Sequence, residues 1–339
     1  MKKKIKIGKT EAITVRNLIK ILGFIVVALG VMQPRMTSQT IDEGVALVHQ
    51  KKYTEAKALF ELMLDKNKND AEAHYQLGLV LFHRGYKDRD VDGAVDEFEK
   101  AVDLNSNSAD YQFRYGAALG EKAQNAGVIK QAFLAPKIKN AFKRAVELNP
   151  QNAQAHIALA RYYMVAPSIM GGDEAEGWKQ LDEAVKFDEI LGRTVKASYL
   201  ARAKRNVEAD AEHKILVNAY SKDWRVWKNY GYFCLNSERL DEAVIHLQRY
   251  VVLRPDTADS YQGYAEALLK KGDIDHAMSN LNKSLSIDKD FVPAIISMGE
   301  AYQAKVQKKE AKENYQRAMA IAQNGYYKNQ AEKKLKEVE

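Results

Sequence analysis

Apolar and small side chains recur along most of this chain at the spacing of amphipathic helices. The clearest stretch is 224–255, where Trp227 and Gly231 lie on one predicted helix and Ala243 lies on a second. Residues three and four apart share one face of a helix, so each apolar stripe needs a partner to cover it. The stretch therefore predicts two helices packed on each other, with Pro255 at their end.

The two-helix pattern returns with a period of about 34 residues, which is the mark of a repeat array. Small residues stand where the first helix must approach the second, and rings or leucines fill the space between them. We place repeats at 37–70, 71–108, 109–152, 153–189, 190–223, 224–257, 258–291 and 292–325. The repeat at 190–223 is degenerate, and 326–339 predicts a polar helix that caps the open end of the array.

This pattern of aromatic, glycine, alanine and proline positions resembles the tetratricopeptide repeat. The resemblance implies an all-α fold, a right-handed α-solenoid of about eight helix-turn-helix units with a C-terminal capping helix. It also implies a non-enzymatic scaffold that binds a protein or peptide ligand in a concave groove.

A narrower resemblance covers roughly Asp110–Asp188. Segments 141–150 (AFKRAVELNP) and 162–172 (YYMVAPSIMGG) are similar to segments of exported bacterial tetratricopeptide proteins of undefined function. This resemblance implies a bacterial cell-envelope setting and brings no activity with it.

The net charge of +7 lies entirely in residues 1–36, so the remainder is neutral and gives no support for nucleic-acid binding. A basic start followed by the uncharged stretch 21–32 predicts a signal peptide, with small residues spaced for cleavage after Gly30. The alternative is an uncleaved inner-membrane anchor at 18–32. Either one would place the repeats outside the cytoplasm, in the periplasm, and would give the chain its only membrane contact.

Three neighbouring repeats, spanning 71–189, are longer than the others. Their extra residues are predicted around 85–92, 122–136 and 165–173, between the two helices of each repeat, where they would thicken one edge of the array. Long loops of this kind often carry binding sites, although a surface insertion is also easily tolerated. The apolar residues expected to form this edge are Phe133, Ile169 and Met170.

One segment has the residue spacing of a calcium-binding loop. Carboxylates follow a D-x-D-x-D-G-x5-E pattern, and a calcium-responsive adaptor is therefore an alternative function. The packing residues of the repeat fall inside the same segment, which favours a helix with acidic caps instead. The candidate ligands are Asp88, Asp90, Asp92, Asp96 and Glu99.

The first helix of each repeat is expected to line the partner groove. The side chains at its exposed positions are apolar in the early repeats and polar in the later ones, although they could instead pack within the chain. A clamp for a ligand's carboxylate is disfavoured for two reasons. Tyr232 stands where such a clamp needs an asparagine, and the negative charge of Glu266 would repel the carboxylate. The predicted groove residues are Tyr75, Leu79, Phe82, Phe113, Ile157, Arg161, Met164, Lys228 and Tyr232.

No catalytic or cofactor motif is present in the sequence. The seven histidines form no HExxH or H-x3-H pair, and there is no GxSxG or P-loop pattern. The single cysteine, Cys234, falls at a core position and is predicted to be a buried structural thiol. We therefore expect no cofactor and no enzyme activity.

Overall fold

The computed structural model describes residues 41–322 and 325–338, and every regular element in them is helical. The predicted leader at 1–36, including the possible anchor at 18–32, lies outside these residues. The helices are α1 (41–49), α2 (Tyr53–Lys66), α3 (Ala71–Phe82), α4 (Val91–Leu104), α5 (Ala109–Gln124), α6 (Val128–Leu148), α7 (Ala153–Val165), α8 (Glu174–Phe187), α9 (Glu189–Arg202), α10 (Asn206–Ala219), α11 (Trp224–Asn236), α12 (Leu240–Leu253), α13 (Ala258–Lys271), α14 (Ile274–Ile287), α15 (Val292–Ala304), α16 (Lys308–Ile321) and α17 (Gly325–Val338).

Consecutive helices pack as hairpins, which confirms the all-α helical-repeat class expected from the sequence. The chain divides into two compact units, Met1–Gln180 and Leu181–Glu339. In the described part of the chain, every helix is too short or too polar to cross a lipid bilayer.

The contact between the two helices of a repeat joins a glycine to a ring or a leucine. A methyl group added at Gly78 would lie 2.7 Å from Cε1 of Phe98, and one at Gly299 would lie 2.5 Å from Cε1 of Tyr315. Phe98 and Tyr315 are fully buried. The glycines predicted from the sequence thus permit a close approach that any side chain would prevent.

The short turn inside a repeat depends on one residue in the left-handed conformation. Its φ is 60° at Lys204 and at Glu238, 87° at Gly272 and 62° at Val306. These four positions succeed each other at the repeat period. Glycine adopts this conformation freely, whereas a β-branched residue such as Val306 is strained there.

Between repeats, a side chain near the start of the first helix reaches back to the preceding turn. Nε2 of His156 lies 2.9 Å from the carbonyl oxygen of Pro150, and Nε1 of Trp227 donates to that of Ser221 at 2.8 Å. The hydroxyl of Ser260 donates across the same sequence interval, at 2.7 Å. Each of these three turn carbonyls, which the helical hydrogen bonds leave unpaired, thereby gains a hydrogen-bond partner.

Unit Met1–Gln180 has a core rich in aromatic side chains, and its longer connections are less loop-like than the sequence suggested. The predicted insertion at 122–136 is mostly helix, because α6 begins at Val128 and contains Pro136. The apolar stripe of α6 continues upstream through Ile138 and Ala135, so the extra residues add helical turns. Residues 168–170 form one turn of 3-10 helix.

Unit Leu181–Glu339 contains regular repeats and the capping helix. α17 packs on α15 and α16, and its Ala331 and Val338 are buried in a cluster with Ile296 and Tyr315. The cap therefore covers apolar surface that the last repeat would otherwise expose, as the sequence predicted for the end of an array.

Candidate functional site

A cleft of about 820 Å³ lies in the unit Leu181–Glu339, and we call it the C-terminal cleft. One face of α13, one face of α15 and one face of α17 line it. Its lining residues include Tyr232, Asp259, Gln262, Glu266, Leu269, Lys270, Ile274, Phe291, Pro293, Ile296, Ser297, Glu300, Gln303, Ala304, Tyr326, Tyr327, Gln330 and Lys334.

Two of the three carboxylates in the cleft are paired with a cation of this chain. Nζ of Lys228 lies 2.6 Å from Oδ2 of Asp259, and Nζ of Lys334 lies 3.2 Å from Oε1 of Glu300. Burial lowers the pKa of Lys334, but the neighbouring carboxylates outweigh it and the pKa is raised. α17 therefore contributes a charged group to the cleft as well as apolar cover.

The third carboxylate, Glu266, has no ion pair among the described residues and accepts a hydrogen bond from Nε2 of Gln262 at 3.3 Å. Nε2 of Gln262 also lies 3.3 Å from the Ser297 hydroxyl, inside the core. Burial, with Glu300 nearby, raises the pKa of Glu266. A desolvated carboxylate is the group that gains most when a ligand supplies a positive charge.

Aromatic side chains form part of the wall around these charges. The hydroxyl of Tyr232 lies over Gly263, where a methyl group would come within 2.6 Å of it. Burial, with Asp259 and Glu266 nearby, raises the pKa of Tyr232 and keeps the phenol neutral. The rings of Tyr326 and Tyr327 lie 5.1 Å apart, centroid to centroid. The cleft thus combines ring faces with negative charge.

The early groove positions predicted from the sequence lie in unit Met1–Gln180, but they pack against other rings of that unit. Tyr75 stacks on Tyr111 with ring centroids 4.7 Å apart, and Phe82 meets Phe98 edge-on at 6.3 Å. Half-buried apolar groups on the same core include Tyr75, Leu79, Phe82 and Phe113. Much of their apolar surface is therefore covered within the chain.

The remaining predicted groove residues are divided between the two units. Ile157 and Met164 are half-buried on α7, and Arg161 between them is exposed. In the other unit, Lys228 is held by Asp259, and Tyr232 lines the C-terminal cleft.

The predicted calcium ligands do not form a loop, because α4 begins at Val91. Asp90 is the N-cap residue of α4 and accepts from the backbone N–H of Gly93 at 2.9 Å. Oδ1 of Asp92 pairs with Lys122 at 2.6 Å, and Oε1 of Glu99 with Lys137 at 2.8 Å. A calcium loop needs these residues wrapped around one ion, whereas here they cap the helix or pair along it, which is the arrangement that the sequence favoured over the calcium alternative.

The other two candidates in this segment lie apart from those pairs. Asp88 precedes the helix and is exposed, and Asp96 is exposed on α4. A helix N-terminus favours acidic residues by capping and by its dipole, which accounts for the sequence pattern.

The predicted edge residues have different environments. Phe133 is 77% exposed, but it lies on α6 and not on a loop, which corrects the prediction. Ile169 is 94% exposed on the 3-10 turn, whereas Met170 packs against the core.

Sequence reasoning missed the contribution of α17 to the cleft. The sequence predicted a polar capping helix with no part in binding, whereas Lys334 of α17 pairs with Glu300 of the cleft. The signal was present in the spacing of Tyr327 and Lys334, which share a helix face, but the partner helix could not be read from it.

The helices and the cleft define an all-α helical-repeat protein with a polar cleft on one side of its last repeats. Within that class the chain is a tetratricopeptide-repeat protein, since two models described as tetratricopeptide repeat match residues 41–109 and 258–291. The exported bacterial family suggested by segments 141–150 and 162–172 stays a prediction.

The chain is similar to the human Superkiller complex protein 3, with 24% identity over 265 residues. The match covers 76% of this chain but 16% of that protein, so this chain spans a small part of its relative's length.

Two solved structures share the fold. Yeast Tom70 has a TM-score of 0.66 and 18% sequence identity, and the match covers 85% of this chain and 59% of the Tom70 chain. A tetratricopeptide repeat protein from Parabacteroides merdae has a TM-score of 0.53 and 13% sequence identity, and the match covers 89% of this chain and 98% of that protein's chain.

Proposed function

We propose that this protein is a non-enzymatic interaction scaffold whose C-terminal cleft binds a peptide segment carrying a basic side chain. The observation that carries the proposal is the Glu266 carboxylate, half-buried and without an ion pair among the described residues. Its relatives and structural neighbours with tetratricopeptide repeats support the scaffold role.

The charge and walls of the cleft favour arginine as the central residue of the ligand. A guanidinium can pair with Glu266 and at the same time stack on the rings of Tyr232 or Tyr327, which an ammonium does less well. Clefts of about 300–1,000 Å³ suit ligands of a few residues. The volume of about 820 Å³ is therefore right for a short peptide segment.

Binding of immobilised peptides would test this proposal. Pools of short peptides with a fixed central Arg, Lys, citrulline or Glu would be offered to residues 37–339. We expect retention in the order Arg, Lys, then citrulline, with no retention by Glu, and about tenfold weaker Arg binding in Glu266→Gln, equivalent to about 1.4 kcal/mol.

The matched control is Glu313→Gln, which removes the same charge from an exposed position on α16. Equal retention of Arg and citrulline pools, or equal loss in Glu266→Gln and Glu313→Gln, would reject the cleft as a site for basic side chains.

We also propose that the repeats lie outside the cytoplasm of a bacterial cell, because residues 1–36 combine basic charge with the uncharged stretch 21–32. β-Lactamase fused after the last residue reports this location, and we expect ampicillin resistance. N-terminal sequencing then separates cleavage after Gly30 from an uncleaved anchor at 18–32. A stable fusion that leaves the cells sensitive would contradict the proposal.

A further inference from the structure

Three side chains of different chemistry meet inside the repeat at 224–257. Cys234 belongs to α11, and Glu242 and His246 stand one turn apart on α12. The cysteine sulfur, a carboxylate oxygen and a ring nitrogen all lie within 4.8 Å of one another. This cluster is separate from the C-terminal cleft and has no part in the proposed peptide binding.

The imidazole of His246 has no hydrogen-bond partner among the described residues. Both of its ring nitrogens are buried, and neither makes a hydrogen bond within 41–322 or 325–338. Tyr230 stacks on the ring with centroids 4.1 Å apart. Buried polar atoms without partners are rare in folded proteins, and an absent ion is one of the accepted reasons for them.

The Cys234 thiol is enclosed beside this imidazole. Its side chain is fully buried, and burial raises its pKa to about 12. A divalent cation reverses this effect, because it binds the thiolate and replaces the proton. Loss of that proton offsets half of the charge that the cation brings into the site.

Arg239 occupies part of the same space and must be accommodated. Its Nε donates to Oε1 of Glu242 at 2.7 Å and its Nη2 donates to Oε2, so the guanidinium engages both carboxylate oxygens, and its Nη1 lies 2.5 Å from Oδ1 of Asp210. Each carboxylate oxygen has a second lone pair, so Glu242 can accept from Arg239 and still bind a metal. Arg239 then orients the ligand, as outer groups commonly do in metal sites. Lys214 also pairs with Asp210, at 2.7 Å.

We propose that Cys234, Glu242 and His246 bind a divalent cation of the zinc class, with water as the fourth ligand. Thiolate and imidazole ligands select zinc over calcium or magnesium, which prefer oxygen. Bonds of about 2.0–2.3 Å require the three atoms to approach by roughly 1 Å. Torsional rotation of the half-buried Glu242 and His246 side chains provides this movement.

Titration of the full chain with Co²⁺, followed by competition with Zn²⁺, tests the proposal. We expect visible bands of tetrahedral cobalt and a sulfur-to-cobalt charge-transfer band, both removed by Zn²⁺. His246→Gln should weaken binding by about a hundredfold. His276→Gln is the matched control, because its imidazole is exposed on α14 and lies outside the cluster.

Glu242→Gln provides a second variant that should keep the fold, since its side chain is 45% exposed. We expect at least about tenfold weaker binding of Co²⁺ with the charge-transfer band retained. Cys234→Ser, checked for folding by circular dichroism, should lose that band. Absence of the charge-transfer band in the unaltered protein, or unchanged affinity in either Glu242→Gln or His246→Gln, would overturn the proposal.

Discussion

The two units of the chain use their interior polar groups in opposite ways. In the unit Met1–Gln180, the side chains of His74 and His156 are buried. Each of their ring nitrogens forms a hydrogen bond with an oxygen atom. In the described part of the unit Leu181–Glu339, neither ring nitrogen of His246 has a partner, and Nδ1 of His213 is also buried without one.

The difference extends to the groove-side positions of each unit. Tyr75 and Phe82 contact other rings of their own unit, whereas Glu266 forms no ion pair among the described residues. A buried polar group without a partner costs stability, so it is retained where something else benefits. The comparison teaches that the longer repeats need not be the functional ones: they are self-contained, and the repeats of about 34 residues hold the unpaired groups.

The largest effect should come from the aromatic core of the first unit. Phe98→Ala removes a fully buried ring, and we expect a loss of about 3–5 kcal/mol in the free energy of unfolding. Urea denaturation measures it. The control Phe133→Ala removes an exposed ring and should cost less than about 0.5 kcal/mol. Similar losses in both variants would contradict the core assignment.

The second unit should be the acid-sensitive one. Burial lowers the pKa of His213 to about 4, from 6.5 in the unfolded chain. As the pH falls below 6.5, His213 binds a proton in the unfolded chain but not in the folded chain. The free energy of unfolding therefore decreases until about pH 4. The loss should reach about 3 kcal/mol.

The variant His213→Phe isolates this effect, because it keeps the stack on Tyr230, whose centroid lies 5.3 Å away, and removes the titrating group. Urea denaturation between pH 7 and pH 4 should give a flatter stability profile for the variant. A parallel decline in both proteins would assign the acid sensitivity elsewhere.

A smaller effect tests the glycine contact of the first unit. Gly78→Ala forces a methyl group to within 2.7 Å of Phe98 and should cost about 2 kcal/mol. Gly120→Ala, in a helix with open space around it, should instead gain up to about 1 kcal/mol.

The double variant Gly78→Ala with Phe98→Leu gives this repeat the alanine and leucine that the second unit has at Ala265 and Leu281, both fully buried in one cluster. We expect it to be more stable than Gly78→Ala alone in thermal unfolding. If the two substitutions instead lower the stability by the sum of their separate effects, the residue pair is not interchangeable between repeats.

The smallest expected effect is a gain in the second unit. Val306 is 78% exposed with a φ of 62°, and Val306→Gly should stabilise the chain by about 1 kcal/mol through relief of backbone strain. The reverse change, Gly272→Val, should destabilise it at the equivalent turn. Thermal unfolding measures the change in stability of each variant. If both variants were stabilised, or both destabilised, backbone strain at this turn would not be the cause.

The repeat fold could be predicted because each helix pair encodes its own contact. Gly78 with Phe98 and Gly299 with Tyr315 lie in single repeats, and their spacing is visible in the sequence. Turn residues were equally local: the backbone N–H of Asn69 donates to Oδ1 of Asn67 at 3.1 Å, as expected for asparagine in a turn.

The candidate sites could not be predicted because they join different elements. Lys334 meets Glu300 only after α17 has folded back, and Cys234 meets His246 only when α11 and α12 have a fixed rotation. The acidic spacing at Asp88–Glu99 alone fits both a calcium loop and a capped helix. The repeat positions of Ala94 and Phe98 favoured the helix in the sequence, and both side chains are buried on α4.

The side chain that reaches back to the preceding turn has a consequence for how such chains diverge. His156, Trp227 and Ser260 look unrelated in a comparison of letters, yet each places a polar group against a carbonyl of the turn before it. What these side chains share is the hydrogen bond and not the residue identity, and the bond even tolerates a shift of one position, since Ser260 is the third residue of its repeat and Trp227 is the fourth of its own. A repeat can therefore lose its signature tryptophan over time and still remain joined to its neighbour, so that the architecture outlasts its recognisable sequence.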